Sequence, residues 1–138
     1  MRAMKRKAFT LVEMMAVVVI IGILAAVIAP RFFGQVGQAS KVRVKQDVEM
    51  IKKAVTLYKF NTHHFPQEIR DLVNEPDGVN GWEGPYLEKM PKDPWGNDYQ
   101  FASPGGDNRQ FDVWSYGRDG REGGEGEDAD VLGWEVEE

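Results

Sequence analysis

Acidic side chains cluster on a glycine-rich stretch near the end of the chain. The segment SYGRDGREGGEGEDADVLGW, residues 115–134, contains six carboxylates: Asp119, Glu122, Glu125, Glu127, Asp128 and Asp130. Ca²⁺ takes hard oxygen ligands at short spacing, because glycines let backbone carbonyls turn inward while carboxylates supply charge. The EF-hand register is absent, and one imperfect RTX-like nonapeptide at 123–131 has no second copy.

The alternative interpretation of this segment is a disordered acidic tail. Against a tail, the apolar tetrapeptide VLGW, residues 131–134, follows the acids and predicts that the chain returns to pack. The sequence contains no cysteine, so disulfides and Cys-ligated zinc are excluded. A bound metal ion would be a substitute cross-link for a small domain that cannot form disulfides.

A further carboxylate, Glu13, is the single charge within a 22-residue apolar run, residues 8–29. A helix of that length spans about 33 Å, which matches a bilayer hydrocarbon core of about 30 Å. A carboxylate in a membrane helix costs roughly 2.5–3.5 kcal/mol at the centre and less near an end. Such a residue usually has a partner, although solvation of Glu13 at headgroup depth is the alternative.

The flanks of the run predict its orientation. The basic residues before it are Arg2, Lys5, Arg6 and Lys7, and only Arg31 follows closely. This asymmetry predicts a cytoplasmic N-terminus and export of the rest. A cleaved secretory signal is one alternative, but Val27 and Pro30 fit poorly around a cut after Ala29. A generic membrane anchor is another, and it leaves Glu13 unexplained.

The elements that must position these groups begin with a helical stem. Beyond Pro30, apolar residues recur at steps of 4, 3, 4 and 3: Val44, Val48, Ile51, Val55 and Tyr58. This spacing predicts a helix with one apolar stripe, continuous from Phe9 to about Tyr58. Pro30, Gly34 and Gly37 predict a kink or a meltable segment within it.

The remaining chain predicts a small mixed domain. Residues 63–74 predict a short helix with Pro66 in its first turn and Ile69, Leu72 and Val73 facing inward. His63 and His64 are interpreted as exposed loop residues, not zinc ligands. Residues 75–98 form a turn-rich loop that ends in DPWGN, residues 93–97.

Two strands of a hairpin are predicted from YQFAS and FDVWSYG, which PGGDN separates. Phe101, Phe111 and Val113 are expected to pack on the stem. The tryptophans at 95, 114 and 134 are interpreted as core and sheet-edge residues.

The net charge of −5 conceals an asymmetry, with +5 on residues 31–59 and −13 on residues 60–138. An acidic head and a moderately basic stem argue against nucleic-acid binding, and they suit a chain that meets copies of itself or a cation. No nucleophile–base–orienter set or phosphate loop is visible, and Ser103 and Ser115 have no motif around them. The chain is therefore not expected to be an enzyme.

The string KAFTLVE, residues 7–13, followed by an apolar helix resembles the N-terminal motif of type IV pilins and of type II secretion pseudopilins. The resemblance implies that a prepilin peptidase cuts between Ala8 and Phe9 and that the new N-terminus is methylated. It also implies that Glu13 pairs with the terminal amine of a neighbouring subunit. Ala8 departs from the family's usual Gly, and we expect slower or normal processing.

The DPWGN string and the acidic loop resemble the major pseudopilins of type II secretion. In that branch the loop carries S-x-G-x-D-G, Gly-Gly, Ala-Asp-Ile and a Trp, and it binds structural calcium; here Val131 replaces the Ile. The resemblance implies calcium ligation by Asp119, Asp128 and Asp130, with Tyr116 ligating through its backbone oxygen.

The implied fold class is α+β, a type IV pilin-like fold. Its long N-terminal helix, transmembrane and then amphipathic, packs against a small antiparallel β-sheet, with a calcium-stabilised C-terminal loop. The implied divisions are a cleaved leader 1–8, a transmembrane and assembly helix 9–29, an amphipathic stem 30–59, and an exported head 60–138 containing loop 75–98, hairpin 99–116 and calcium loop 115–134.

The resemblance implies an inner-membrane subunit that polymerises with itself into a periplasmic pseudopilus and helps to export folded proteins. The implied partners are minor pseudopilins, prepilin peptidase, the inner-membrane assembly platform with its ATPase, and inner-membrane lipid. Alternatives are a subunit of a type IV pilus or competence filament, a monomeric membrane-anchored calcium-binding domain, and a membrane-tethered hydrolase.

Overall fold

The structure is a computed structural model that describes residues 8–135, with the backbone alone described for 29–36. The predicted leader therefore lies, apart from Ala8, outside the described residues. The chain divides into two compact units between Val36 and Gly37.

Helix α1 extends over Leu11–Thr62, which confirms the predicted long helix. In the N-terminal unit, every side chain from Leu11 to Ile28 is exposed, and this stretch has a mean hydropathy of 2.9. It is long and apolar enough to cross a membrane. The α-helix continues through Pro30. The predicted kink or easily melted segment at residues 30–37 stays a prediction.

The apolar stripe of α1 forms the core of the C-terminal unit. Its predicted members are almost fully buried: Val44, Val48, Ile51, Val55 and Tyr58. Residues three and four apart lie on one face of a helix, so the periodicity identified this surface directly. Phe101 and Phe111 pack against this core, and Val113 is part of it, as predicted.

The predicted helix at 63–74 is shorter than expected. A 3-10 helix covers only Ile69–Leu72, so the placement of Pro66 in its first turn was wrong. The Asp71 carboxylate accepts hydrogen bonds from the backbone N–H groups of Gln67, at 2.8 Å, and Glu68, at 3.2 Å. Glu68 is extended, and this side-chain capping makes the helix begin after it.

Three antiparallel strands form one sheet in the order β1–β2–β3: β1 Gln100–Ala102, β2 Asp112–Ser115 and β3 Val131–Leu132. The first two confirm the predicted hairpin, with Phe101 opposite Val113. The third confirms that the VLGW segment returns to pack, since Val131 pairs with Ser115 and is buried.

Polar contacts join the sheet and its surroundings to α1. The Tyr99 hydroxyl donates to Asp47 Oδ2 at 2.8 Å, and burial together with this hydrogen bond raises the pKa of Tyr99. Lys52 Nζ donates to the Gly133 carbonyl at 2.7 Å. Residues 75–98 form the predicted loop, with one isolated bridge between Lys92 and Asp98. His63 and His64 are exposed, as predicted.

An ion pair anchors the chain near β3. The Arg109 guanidinium contacts both oxygens of the buried Asp112 carboxylate, at 2.6 and 3.0 Å, and lies over the Trp134 ring, 4.5 Å from its centroid. Asp112 also accepts a hydrogen bond from the Gly106 N–H at 2.7 Å. The hydrogen bonds from Arg109 lower the pKa of Asp112.

Truncation of the stripe is expected to destabilise the C-terminal unit strongly. Ile51→Ala removes a side chain with no exposed surface and leaves a cavity, which costs about 2–5 kcal/mol of unfolding free energy. The neighbouring Met50→Ala is the control, because Met50 is 46% exposed and its truncation costs about 1 kcal/mol or less. Chemical denaturation of the full chain in detergent, followed by tryptophan fluorescence, measures both. Equal losses would contradict the assigned core.

The Asp112 carboxylate is expected to make stability depend on acid pH. Because its folded pKa lies below its unfolded value, it contributes stability above about pH 4, and this contribution is lost as pH falls through the folded pKa. Asp112→Asn should cost about 1–3 kcal/mol at pH 7 and flatten the loss of stability below about pH 4. Denaturation midpoints between neutral and acid pH test this, with exposed Asp77→Asn as the control. An unchanged acid profile in Asp112→Asn would contradict the assignment.

Candidate assembly and metal-binding sites

Glu13 lies at the start of α1, where it forms a reciprocal capping box with Thr10. The Thr10 backbone N–H and hydroxyl donate to Glu13 Oε2 at 2.7 and 3.0 Å, and the Glu13 N–H donates to the Thr10 hydroxyl at 3.2 Å. This arrangement was not predicted from the sequence, although the T-x-x-E pattern at residues 10–13 is its usual signature.

The capping box gives a second physical reason for a carboxylate in the apolar run. A negative side chain in the first turn satisfies free N–H groups and interacts favourably with the helix dipole. Ala8 and Phe9 precede the helix and are exposed, Phe9 by 78%. The predicted cleavage point therefore lies in accessible, non-helical chain.

The three aspartates proposed as calcium ligands lie in one loop but do not converge. Asp119 Oδ1 accepts from the Arg121 N–H at 3.0 Å, and both Asp130 oxygens accept from the Gly123 N–H at 3.1 Å. Within the part of the chain that the structure describes, no three acidic or histidine side chains form a group that could hold a metal. Tyr116 is half-buried where the loop begins.

Arg118 holds the third aspartate. Its guanidinium donates to both oxygens of Asp128, at 2.9 and 3.2 Å, and to Glu127 Oε2 at 3.0 Å. The backbone N–H of Arg118 also donates to the Glu127 carbonyl at 2.9 Å. The hydrogen bonds to Asp128 raise the pKa of Arg118. The loop is thus closed by both main chain and side chain.

The DPWGN string forms a turn around the buried carboxylate of Asp93, which is 3% exposed. Asp93 Oδ1 accepts from the backbone N–H groups of Trp95, at 3.0 Å, and Asn97, at 2.8 Å. Asp93 Oδ2 accepts from the hydroxyl of Ser115 at 2.8 Å. Gly96 has φ +88°, which explains why a glycine occupies this turn.

This turn also fixes the root of the acidic loop. Asn97 Nδ2 donates to the Gly117 carbonyl at 3.0 Å, and the Gly117 N–H donates to the Ser115 hydroxyl at 3.1 Å. Gly117 has φ +75°, and a Cβ there would lie 2.7 Å from the Ala129 carbonyl oxygen. From the sequence, DPWGN was only a family signature and Ser115 had no predicted role. The structure shows that both position the loop.

The residues of the loop fit calcium in kind, since they supply carboxylate and carbonyl oxygens on a closed, glycine-rich turn. Within the described residues their carboxylates are not gathered around one point, and Asp128 is bound to Arg118. Calcium ligation by Asp119, Asp128, Asp130 and the Tyr116 carbonyl would therefore require the carboxylates to reorient.

Comparison with known proteins identifies the family. The family described as type II secretion system (T2SS), protein G matches residues 31–134, and the prokaryotic N-terminal methylation motif matches residues 3–29. The core protein G of Vibrio cholerae is 41% identical over 97% of this chain and 95% of its own length. That of Pseudomonas aeruginosa is 40% identical over 98% and 99%.

The fold is also similar to that of a solved relative. The major pseudopilin from the type 2 secretion system of enterohaemorrhagic Escherichia coli has 26% identity and a TM-score of 0.64. The match covers 75% of this chain and 94% of that one. This confirms the predicted α+β fold, a long N-terminal helix packed against a small antiparallel sheet. The apolar helix and the methylation motif fit a membrane-anchored subunit, and the chain belongs to the type II secretion system protein G family.

Proposed function

We propose that the chain is a structural subunit, the major pseudopilin, that polymerises into the periplasmic pseudopilus of a type II secretion system. The filament drives folded proteins across the outer membrane, and the subunit catalyses no reaction itself. The observation that carries this proposal is the apolar stretch Leu11–Ile28, in which no residue is buried and Glu13 lies near the start, in a chain of this family. Such a surface requires lipid or other subunits to cover it.

Before assembly, that stretch lies in the bacterial inner membrane. The basic residues ahead of it keep the N-terminus cytoplasmic, and the C-terminal head is periplasmic. Prepilin peptidase removes residues 1–8 on the cytoplasmic side, and the amine of Phe9 is then methylated. The exposed, non-helical chain at Ala8 and Phe9 supports access by such an enzyme.

The exposed side of α1 in the C-terminal unit supports contact between copies. Four apolar side chains on the side of the helix away from the buried stripe are at least 46% exposed: Val42, Met50, Leu57 and Phe60. The first three are spaced by 8 and 7 residues, so they share a helix face. Exposed polar residues such as Gln46 and Lys53 lie between them on the same face, so these side chains support contact between copies only in addition to the apolar stretch Leu11–Ile28.

Glu13 sets the register of that packing. In the lone subunit its carboxylate is bound to Thr10, which lowers the cost of keeping it in the membrane. Cleavage creates a positive amine at Phe9, and the amine of a neighbouring copy then pairs with Glu13. Because a charge in lipid is costly without a partner, this pairing favours the correct register. Minor pseudopilins and the inner-membrane assembly platform with its ATPase complete the apparatus, and no nucleic acid is involved.

Calcium stabilises the acidic loop in this proposal. The ion is held by Asp119, Asp128, Asp130 and the backbone oxygen of Tyr116. It cross-links the loop in a domain that has no cysteine for a disulfide. The rigid root of the loop at Asn97 and Ser115 supports this, because it holds residues 117 and 118 in a fixed position.

The hydrogen bonds that join DPWGN to the root of the acidic loop favour a pseudopilin. A subunit of a type IV pilus or competence filament need contain neither DPWGN nor the acidic loop. A monomeric membrane-anchored calcium-binding domain would not need a methylated N-terminus. Crosslinking in membranes discriminates between a filament and a monomer.

Crosslinking is expected to yield ladders of many subunits with the wild-type chain and to lose them with Glu13→Gln. Glutamine can keep the capping box with Thr10 but carries no charge, so this variant separates capping from ion pairing. Glu13→Ala, which loses both, should also lose the ladders. Size-resolved crosslinking of intact membranes is the measurement.

Mass spectrometry supplies the control for this experiment, because both variants must begin at methylated Phe9 for the comparison to hold. Wild-type ladders with Glu13→Gln would show that the local cap is the role of Glu13 and would contradict the ion pair. A functional wild-type chain that still begins at Met1 and remains monomeric would overturn the proposal.

A chelator is expected to lower the melting temperature of the wild-type head, and Asp119→Asn should abolish that effect because one ligand charge is lost. All four tryptophans lie between residues 82 and 134, so their fluorescence reports on the head of the full chain in detergent. Asp77→Asn, an exposed change of the same charge outside the loop, is the control. Identical melting of wild type and Asp119→Asn with and without calcium would refute the metal site.

A further inference from the structure

The acidic loop contains its own cation. Arg118 is 56% exposed at its side chain, yet its guanidinium contacts Asp128 through two nitrogens and Glu127 through the third. Paired donors on a planar fork match a carboxylate closely, which makes this the strongest arrangement available to an arginine at a surface.

Other charges in the loop are arranged differently. Arg121 is only three residues away and is exposed, but it forms no ion pair with any residue that the structure describes. Asp119 and Asp130 accept hydrogen bonds only from backbone N–H groups of the loop. Of the three aspartates in the proposed calcium site, Asp128 is therefore the one bound to a full positive charge.

We propose that Arg118 is an internal counter-ion that closes the loop when no metal is bound and that calcium displaces it from Asp128. This inference rests on the proposed calcium site. A carboxylate oxygen directed at a guanidinium is not free to face a dication, and the two cations repel each other at short distance. Arg118 therefore competes with calcium and lowers the calcium affinity of the loop.

The position of Arg118 makes this competition local. Its backbone N–H remains bound to the Glu127 carbonyl, and the carbonyl of Arg118 lies 3.4 Å from Asn97 Nδ2. The main chain at 118 is thus held on both sides, so release of the guanidinium requires only side-chain rotation. The loop can exchange its internal cation for calcium without losing its root.

Arg118→Gln tests the proposal against Arg121→Gln, which removes the same charge from the same loop. Calorimetric titration of the full chain in detergent with calcium alone should show about threefold to tenfold tighter binding in Arg118→Gln than in Arg121→Gln. Without metal, Arg118→Gln should melt at a lower temperature than Arg121→Gln. Salt should lower the metal-free melting temperature of wild type more than that of Arg118→Gln.

The outcomes separate this inference from the calcium proposal. Equal tightening in the two variants would show a general charge effect and overturn the competition, as would weaker binding in Arg118→Gln. If neither the wild type nor either variant binds calcium, the calcium proposal fails and the competition fails with it. In that case the metal-free melting temperatures still decide whether Arg118 closes the loop.

Discussion

The buried carboxylate of Asp93 is the interaction on which the arrangement of the head depends. It terminates the long loop 75–98 by binding the N–H groups of Trp95 and Asn97, and it joins that turn to strand β2 through the Ser115 hydroxyl. A buried carboxylate without such donors would be strongly unfavourable, so these three hydrogen bonds offset the cost of burying it. Because Ser115 and Asn97 both contact Gly117, the position of the acidic loop follows from this single group.

The features that were predicted well from the sequence are those in which the spacing or position of neighbouring apolar residues indicates which of them are buried. The α1 stripe was predicted because burial on a helix imposes a period near 3.6. The hairpin was predicted because the turn-forming PGGDN segment separates two runs that contain aromatic residues. The return of VLGW was predicted because an apolar segment after an acidic loop has to be covered. In each case the local pattern and the tertiary contact agree.

The features that the sequence did not predict are polar pairs. Asp93 and Ser115 are separated by 22 residues, and no periodicity relates them. Arg118 received no role from the sequence, whereas the structure directs its guanidinium at two specific carboxylates. The 3-10 helix was misplaced for a similar reason, since the side chain of Asp71 competes for backbone N–H groups that a helical reading assigns elsewhere. The capping box of Glu13 is an exception, because its T-x-x-E signature lies within four consecutive residues and can be recognised in the sequence.

The two carboxylates of greatest functional interest share one physical arrangement. Glu13 is bound to Thr10 within its own helix turn, and Asp128 is bound to Arg118 within its own loop. Each proposed function requires an external cation, a neighbour's amine for the first and calcium for the second. An unpartnered carboxylate would be costly in lipid and would repel its acidic neighbours in the loop. In both cases a local partner already satisfies the carboxylate, so the external cation of each proposal would have to displace an existing contact.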